Sequence, residues 1–109
     1  MMAERSVTAA DLLARIDAGA APAILDVRSR WEFTCGHVPG AVHIPFWKLL
    51  NRAPDTAVSP DSPIVVYCGH GPRAWLVGAS LRRRGFRSVL YLEGHMSAWR
   101  RARLREEVL

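Results

Sequence analysis

The chain has 109 residues, half of them hydrophobic, and carries a net charge of +5. Such a chain is long enough to bury a core as one domain, residues 1–109, and too apolar to remain disordered. Its two cysteines cannot build a disulfide framework, and no apolar run reaches the length of a membrane span.

The N-terminus, Met1-Met2-Ala3-Glu4-Arg5-Ser6, has no apolar segment after a basic start, so it does not read as a secretory signal. The cytoplasm is the expected location, where both thiols would be reduced. Thr8 can cap a helix, with Asp11 three residues on in a capping-box position. Leu12, Leu13 and Ile16 give that helix an apolar stripe, and Gly19 ends it. Ala23-Ile24-Leu25-Asp26-Val27 reads as a short buried strand after Pro22. A helical turn is expected around Trp31-Glu32-Phe33, and Gly36, Pro39 and Gly40 then punctuate the chain. Val42-His43-Ile44 predicts a short strand, Phe46 to Leu50 a short helix, and residues 51 to 62, with Pro54 and Pro60, a surface loop.

The strongest strand is Ile64-Val65-Val66-Tyr67, β-branched and aromatic, ending at Cys68. A glycine-rich loop leads into a helix from about Arg73 to Arg84, with Ala74, Val77, Gly78 and Leu81 on its inner face and Gly85 closing it. Val89-Leu90-Tyr91-Leu92 is the next strand, Gly94 breaks it, and a final helix is expected from Met96 to about Glu107. Strands alternating with helices predict an α/β fold, a central, mostly parallel sheet with helices on both faces. Ligands in such sheets sit beyond the carboxyl ends of the strands, and Cys68 stands at one of those ends.

Taken alone, a cysteine at the end of a buried strand is a small core hydrophobe. The loop Cys68-Gly69-His70-Gly71-Pro72-Arg73 changes that reading. Gly69 and Gly71 allow tight turning and leave backbone amides free to form a concave anion site. A helix N-terminus faces the same place, Pro72 suits its first turn, and Arg73 adds a fixed positive charge. An electropositive cradle of this kind favours the thiolate, the nucleophilic form of cysteine. Cys68 is therefore the candidate nucleophile.

Three ordered segments carry a resemblance. Asp26-Val27-Arg28, Glu32-Phe33 and Gly36-His37-Val38-Pro39-Gly40-Ala41 resemble the N-terminal signature of rhodanese domains. Tyr67 to Ala74 resembles their active-site loop, and Gly85-Phe86-Arg87-Ser88-Val89 with Leu92 to Trp99 their closing signature. The resemblance runs from about Leu25 to Trp99 and implies a rhodanese-like three-layer fold and sulfurtransferase activity. On it, Cys68 takes a sulfane sulfur from thiosulfate or a related small anionic donor, becomes a persulfide, and passes the sulfur to cyanide or a thiol. A small redox protein is among the acceptors so implied, and no cofactor is called for. Gly69, His70, Gly71, Pro72 and Arg73 would hold the substrate. Asp26, Arg28, Glu32 and His37 would support the site structurally. A related family of dual-specificity phosphatases has a loop one residue longer, so the six-residue loop here argues for sulfur rather than a phosphoryl group. The alternative is a non-catalytic, protein-binding or regulatory module of the same fold, but relatives of that kind often lack the loop cysteine.

Several readings stay open at this level. Either Arg28 or Arg73 can pair with Glu32, and Arg73 can either meet the substrate or brace the loop. His70 is a candidate donor to substrate or an exposed loop residue. Cys35, before Gly36, reads as an inert loop thiol, with resolution of the Cys68 persulfide as the sharper idea. The family's second glycine after Gly94 is replaced by His95, which would be strained if that position needs positive φ. Trp31, Trp47, Trp75 and Trp99 read as packing residues. His37, His43, His70 and His95 are scattered and no cysteine pair has zinc-ligand spacing, so no metal site is expected. Arg82, Arg83, Arg84 and Arg87 gather at one helix end, and Arg100, Arg101, Arg103 and Arg105 on the final helix. They read as solvated helix faces rather than a nucleic-acid surface.

Overall fold

The structure is a computed structural model that describes residues 5–50 and 58–108. Part of the expected 51–62 loop, residues 51–57, lies outside the described residues, as do residues 1–4 of the N-terminal reading. From residue 58 the chain runs through a turn in which the Ser62 amide donates to the Ser59 carbonyl.

Five described strands form one sheet: β1 (Ser6–Val7), β2 (Ala23–Asp26), β3 (Val42–His43), β4 (Ile64–Tyr67) and β5 (Val89–Leu92). Their spatial order is β1-β5-β4-β2-β3, and every pairing is parallel. The helices are α1 (Ala9–Asp17), α2 (Arg30–Cys35), α3 (Phe46–Leu49), α4 (Pro72–Arg83) and α5 (His95–Arg101).

Side-chain alternation along β4 builds the layers. Ile64, Val66 and Cys68 face a core shared with Leu49 of α3 and Ala74, Val77 and Leu81 of α4. Val65 and Tyr67 face the other core, with Leu12 of α1 and Met96 and Trp99 of α5. Both faces of the central strand are thus sealed, which is why it reads as an unbroken apolar run. The Thr8 hydroxyl accepts the Asp11 amide at 3.1 Å and starts α1. Gly19, at φ 71°, follows the helix end.

Three expectations change. The edge strand β1 was not foreseen: two residues carry no period, and only pairing with Tyr91 and Leu92 of β5 defines them. The last helix stops at Arg101, short of Glu107. Arg103 turns into the left-handed region at φ 55°, and Glu107 pairs with His37 as an antiparallel bridge. Arg103 and Arg105 are therefore off that helix. Third, the tryptophans do not all pack. Trp99 is fully buried, whereas Trp31, Trp47 and Trp75 are 76%, 53% and 52% exposed.

Candidate functional site

The site begins where β4 ends. Cys68 continues the β4 alternation, so its side chain enters the α4 face of the sheet, where it is fully buried. The chain then closes around the sulfur. The Gly71 amide donates to Cys68 Sγ at 3.0 Å. That closure needs φ 135° at Gly71, a region that side chains resist, so glycine is required there. Gly69 lies in the bend after Cys68 but is not among the positive-φ residues, so its backbone does not require glycine's left-handed freedom. What it supplies is space, because a Cβ at that position would lie 3.3 Å from Arg73 Nη2. Pro72 opens α4 at a position where no amide donor is needed. The start of this 12-residue helix therefore lies against the Cys68 loop.

Arg73 turns back across the loop. Its Nη1 and Nη2 donate to Glu32 Oε1 and Oε2 at 2.7 and 3.0 Å. Glu32 in turn belongs to a capping box on α2: the Ser29 hydroxyl accepts the Glu32 amide, and Glu32 Oε1 accepts the Ser29 amide at 3.0 Å. The Arg73 hydrogen bonds hold Glu32 far below its ordinary range, at about 2, with further help from Ser29 against the opposing effect of burial. Arg73 is raised, mainly by the Glu32 hydrogen bonds and more weakly by Cys68. Of the two roles open for Arg73, the geometry is that of a brace that also stands near the sulfur. The spacing Ser29-x-x-Glu32 was a legible capping signal that the sequence reading did not use.

At the carboxyl ends of β2 and β4 lies a second arginine–carboxylate pair. Arg28 Nη2 meets Asp26 Oδ2 at 2.7 Å, with both side chains almost wholly buried. Asp26 also accepts the Arg28 amide at 3.0 Å and the Tyr67 hydroxyl at 2.7 Å. The Tyr67 oxygen accepts the Val38 amide, and Arg28 Nη2 donates to the Gly36 carbonyl. Burial pulls the Arg28 guanidinium down, but the hydrogen bonds and charge of Asp26 outweigh it and leave it raised. Burial, then the Asp26 charge, pushes Tyr67 well above its ordinary value. Arg28 thus pairs with Asp26, not Glu32. His37 stands apart from the loop: its Nδ1 meets the Phe33 carbonyl at 2.8 Å, its ring stacks on Phe33, and Nε2 lies 3.8 Å from Glu107.

The other side of the loop is held by the start of α5. The Met96 and Ser97 amides donate to the Cys68 and Gly69 carbonyls at 3.0 and 3.2 Å. The Ser97 hydroxyl meets His70 Nδ1 at 3.0 Å, which holds the exposed His70 ring. His95 adopts φ 54°, a conformation that costs a non-glycine residue about 1–2 kcal/mol. It compensates in part by accepting the Cys68 amide on Nδ1 at 3.2 Å. Sequence reasoning noted the strain at His95 and missed the contact, because 27 residues separate the partners.

Two clefts flank the loop. One, of about 410 Å³, is lined by Trp31, Glu32, Cys35, Gly69, His70 and Arg100 among others. Cys35 is the last residue of α2 rather than a loop residue, and it is exposed. The other, of about 670 Å³, is lined by Gly71, Pro72, Trp75, Leu76, Tyr91 and His95 among others. Among the described residues no helix is long and apolar enough to cross a membrane.

Comparison with known proteins gives this geometry a lineage. A family model for the rhodanese-like domain matches residues 8–102. A thiosulfate sulfurtransferase of Pseudomonas fluorescens is 32% identical over 79 residues, covering 71% of this chain and 69% of the relative. A putative sulfur carrier protein of Bacillus subtilis is 29% identical over 85 residues, 78% of this chain and 45% of the relative. The crystal structure of a rhodanese-related protein from Thermoplasma volcanium superposes with a TM-score of 0.79 at 27% identity, covering 96% of this chain and 99% of that one. The chain spans about half the length of the first curated relatives it matches. With the family model running from the α1 cap to the end of α5, across the all-parallel sheet and the cysteine loop, the chain belongs to the rhodanese-like domain family.

Proposed function

We propose that the chain is a sulfurtransferase that carries a sulfane sulfur on Cys68. The observation that carries the reading is the 3.0 Å hydrogen bond from the Gly71 amide to Cys68 Sγ, at the start of α4. A donor aimed at the sulfur stabilises negative charge there, whether on a thiolate or on a persulfide. The Cys68 thiolate attacks the outer sulfur of thiosulfate. The sulfur–sulfur bond of the donor breaks, its electron pair leaves on sulfite, and a Cys68 persulfide remains. Cyanide or a thiol then attacks the outer sulfur and returns the electron pair to Cys68 Sγ. No general base is required by either step. The residues of the loop, Gly69 to Arg73, surround the donor, Glu32 holds the loop through Arg73, and Asp26 and Arg28 anchor the preceding strand end through the Tyr67 hydroxyl. Thiol chemistry of this kind suits a reducing compartment such as the cytoplasm.

One observation favours a second reading, a binding module without turnover: Cys68 is 0% exposed. The closed loop thus shields the sulfur from a donor in solution. Thiosulfate-to-cyanide turnover separates the two. The sulfurtransferase reading expects turnover that Cys68→Ser abolishes while the fold is kept, and negligible release of phosphate from aryl phosphates, since the six-residue loop leaves little room for a phosphoryl group. Turnover surviving in Cys68→Ser, or robust Cys68-dependent phosphatase activity, would overturn it.

A further inference from the structure

His95 meets the loop at Cys68 and lies beside Gly71. Its Nδ1 lies 3.2 Å from the Cys68 amide, which can only donate, so Nδ1 must accept and carries no proton. The ring proton of the neutral side chain then sits on Nε2. That nitrogen lies against Gly71, 3.3 Å from where a Cβ would stand, and Gly71 is the residue whose amide holds Cys68 Sγ. The backbone around His95 is committed to this placement. Gly94 and His95 both have positive φ, and the next two amides are spent on the Cys68 and Gly69 carbonyls.

The geometry points to His95 as a positioning residue for the nucleophile: its neutral ring clasps the Cys68 amide, and sulfur uptake fails when the ring takes up a proton. A proton on Nδ1 would set two donors against each other across that contact. The Cys68 amide would lose its acceptor inside a half-buried site, and the loop that orients Sγ would shift. The inference rests on Cys68 being the sulfur carrier.

The surroundings keep the ring neutral under ordinary conditions. Burial, then the charge of His70, lowers its affinity for a proton. The groups facing it are Cys68 and His70 from the loop, Tyr91 from β5 at 6.5 Å between ring centroids, and Glu93, which lines the same groove. Arg82 of α4 covers the Tyr91 ring at 5.3 Å and adds positive charge on that side. Glu93 is the single carboxylate in this set, and it is exposed. The clasp therefore holds at neutral pH and opens on acidification, with a midpoint below the ordinary histidine value of about 6.5.

The test uses one kinetic and one structural readout. Single-turnover sulfur loading from thiosulfate is followed against pH for the wild type and for His95→Gln, whose amide oxygen keeps an acceptor that does not titrate. The wild-type profile should carry one more protonation step on its acid side than the His95→Gln profile. His95→Gly, which removes the acceptor, should load more slowly than His95→Gln across the range. In parallel, the amide resonance of position 68 is followed in Cys68→Ser, where no thiol titrates. It should move with the same midpoint as the His95 ring. Equal numbers of steps in wild type and His95→Gln, faster loading as the ring protonates, or an amide that ignores the ring would overturn the inference. Absence of sulfur loading at every pH, with the amide still following the ring, would overturn the sulfur-transfer reading while supporting the clasp.

Discussion

Two arginine–carboxylate pairs flank the Cys68 strand, built from the same groups at the same distance. Arg28–Asp26 and Arg73–Glu32 both close at 2.7 Å, but the first has side chains 2% and 0% exposed and the second 31% and 35%. The difference is one of surroundings. Asp26 is met from three directions, by Arg28, by the Tyr67 hydroxyl and by a backbone amide, so its negative charge is satisfied without water. Glu32 and Arg73 keep contact with solvent, and their pair ties α2 to the start of α4 across the loop. Identical chemistry thus makes a sealed strut in one place and a half-exposed brace in the other.

The largest effect should come from breaking the strut unevenly. Arg28→Met leaves the Asp26 carboxylate buried without its cation, which costs about 3–5 kcal/mol. Denaturant unfolding should also show Asp26→Asn with Arg28→Met to be less damaging than Arg28→Met alone, since no charge is then stranded. A double variant as unstable as the sum of the single ones would remove the distinction between the two pairs. Next comes Tyr67→Phe, which takes an acceptor from the Val38 amide and a donor from Asp26. It should lower stability by about 1–3 kcal/mol, read as a fall in the unfolding midpoint. A fall no larger than that of an exposed substitution would mean that the network is slack.

The Arg73–Glu32 brace should show a smaller stability effect and a larger kinetic one. Glu32→Gln and Arg73→Ala should each cost about 1 kcal/mol or less, because solvent screens a half-exposed pair. Both should slow sulfur loading more than Tyr67→Phe does. The pair also sets a pH window. Glu32 is depressed from 4.5 to about 2, so its stabilisation is complete above about 4.5 and is lost as the pH falls through about 2. Over that interval stability should fall less steeply in Glu32→Gln than in the wild type. An unchanged slope would show that Glu32 gains nothing from Arg73. Smallest of all, Cys35→Ser should leave thiosulfate-to-cyanide turnover within about twofold of the wild type, because cyanide removes the sulfur without a second thiol. Collapse of turnover in a folded variant would make Cys35 mechanistic.

The asymmetry between the pairs also marks what the sequence could disclose. Local signals were readable: β4 and β5 lie at their expected residues, α4 begins at Pro72, one residue before the expected Arg73, and the Cys68 loop stands at a strand end. Partner choice was not, since Glu32 and Arg73 are 41 residues apart and only the sheet order brings α2 beside the loop. The same holds for β1, which exists through its pairing with β5, and for the early end of α5, where Glu107 is drawn to His37. His95 stood out as a departure from a family pattern, but its contact with the Cys68 amide depends on the fold. Exposure of Trp31 and Trp47 was equally hidden, because tryptophan's apolar area predicts burial and says nothing of which face a short helix turns outward, whereas Trp75 falls outside the Ala74, Val77, Gly78 and Leu81 face of α4, so its exposure was legible there.

The proposed sulfur carrier is Cys68, whose loop the Arg73–Glu32 pair ties to α2. The most direct measurement is the intact mass of the protein after exposure to thiosulfate and removal of excess donor. The wild-type chain should gain the mass of one sulfur atom, lose it on addition of cyanide, and Cys68→Ser should gain none. A wild-type chain that stays at its original mass with every sulfane donor tried, or a Cys68→Ser chain that gains the sulfur, would contradict the account.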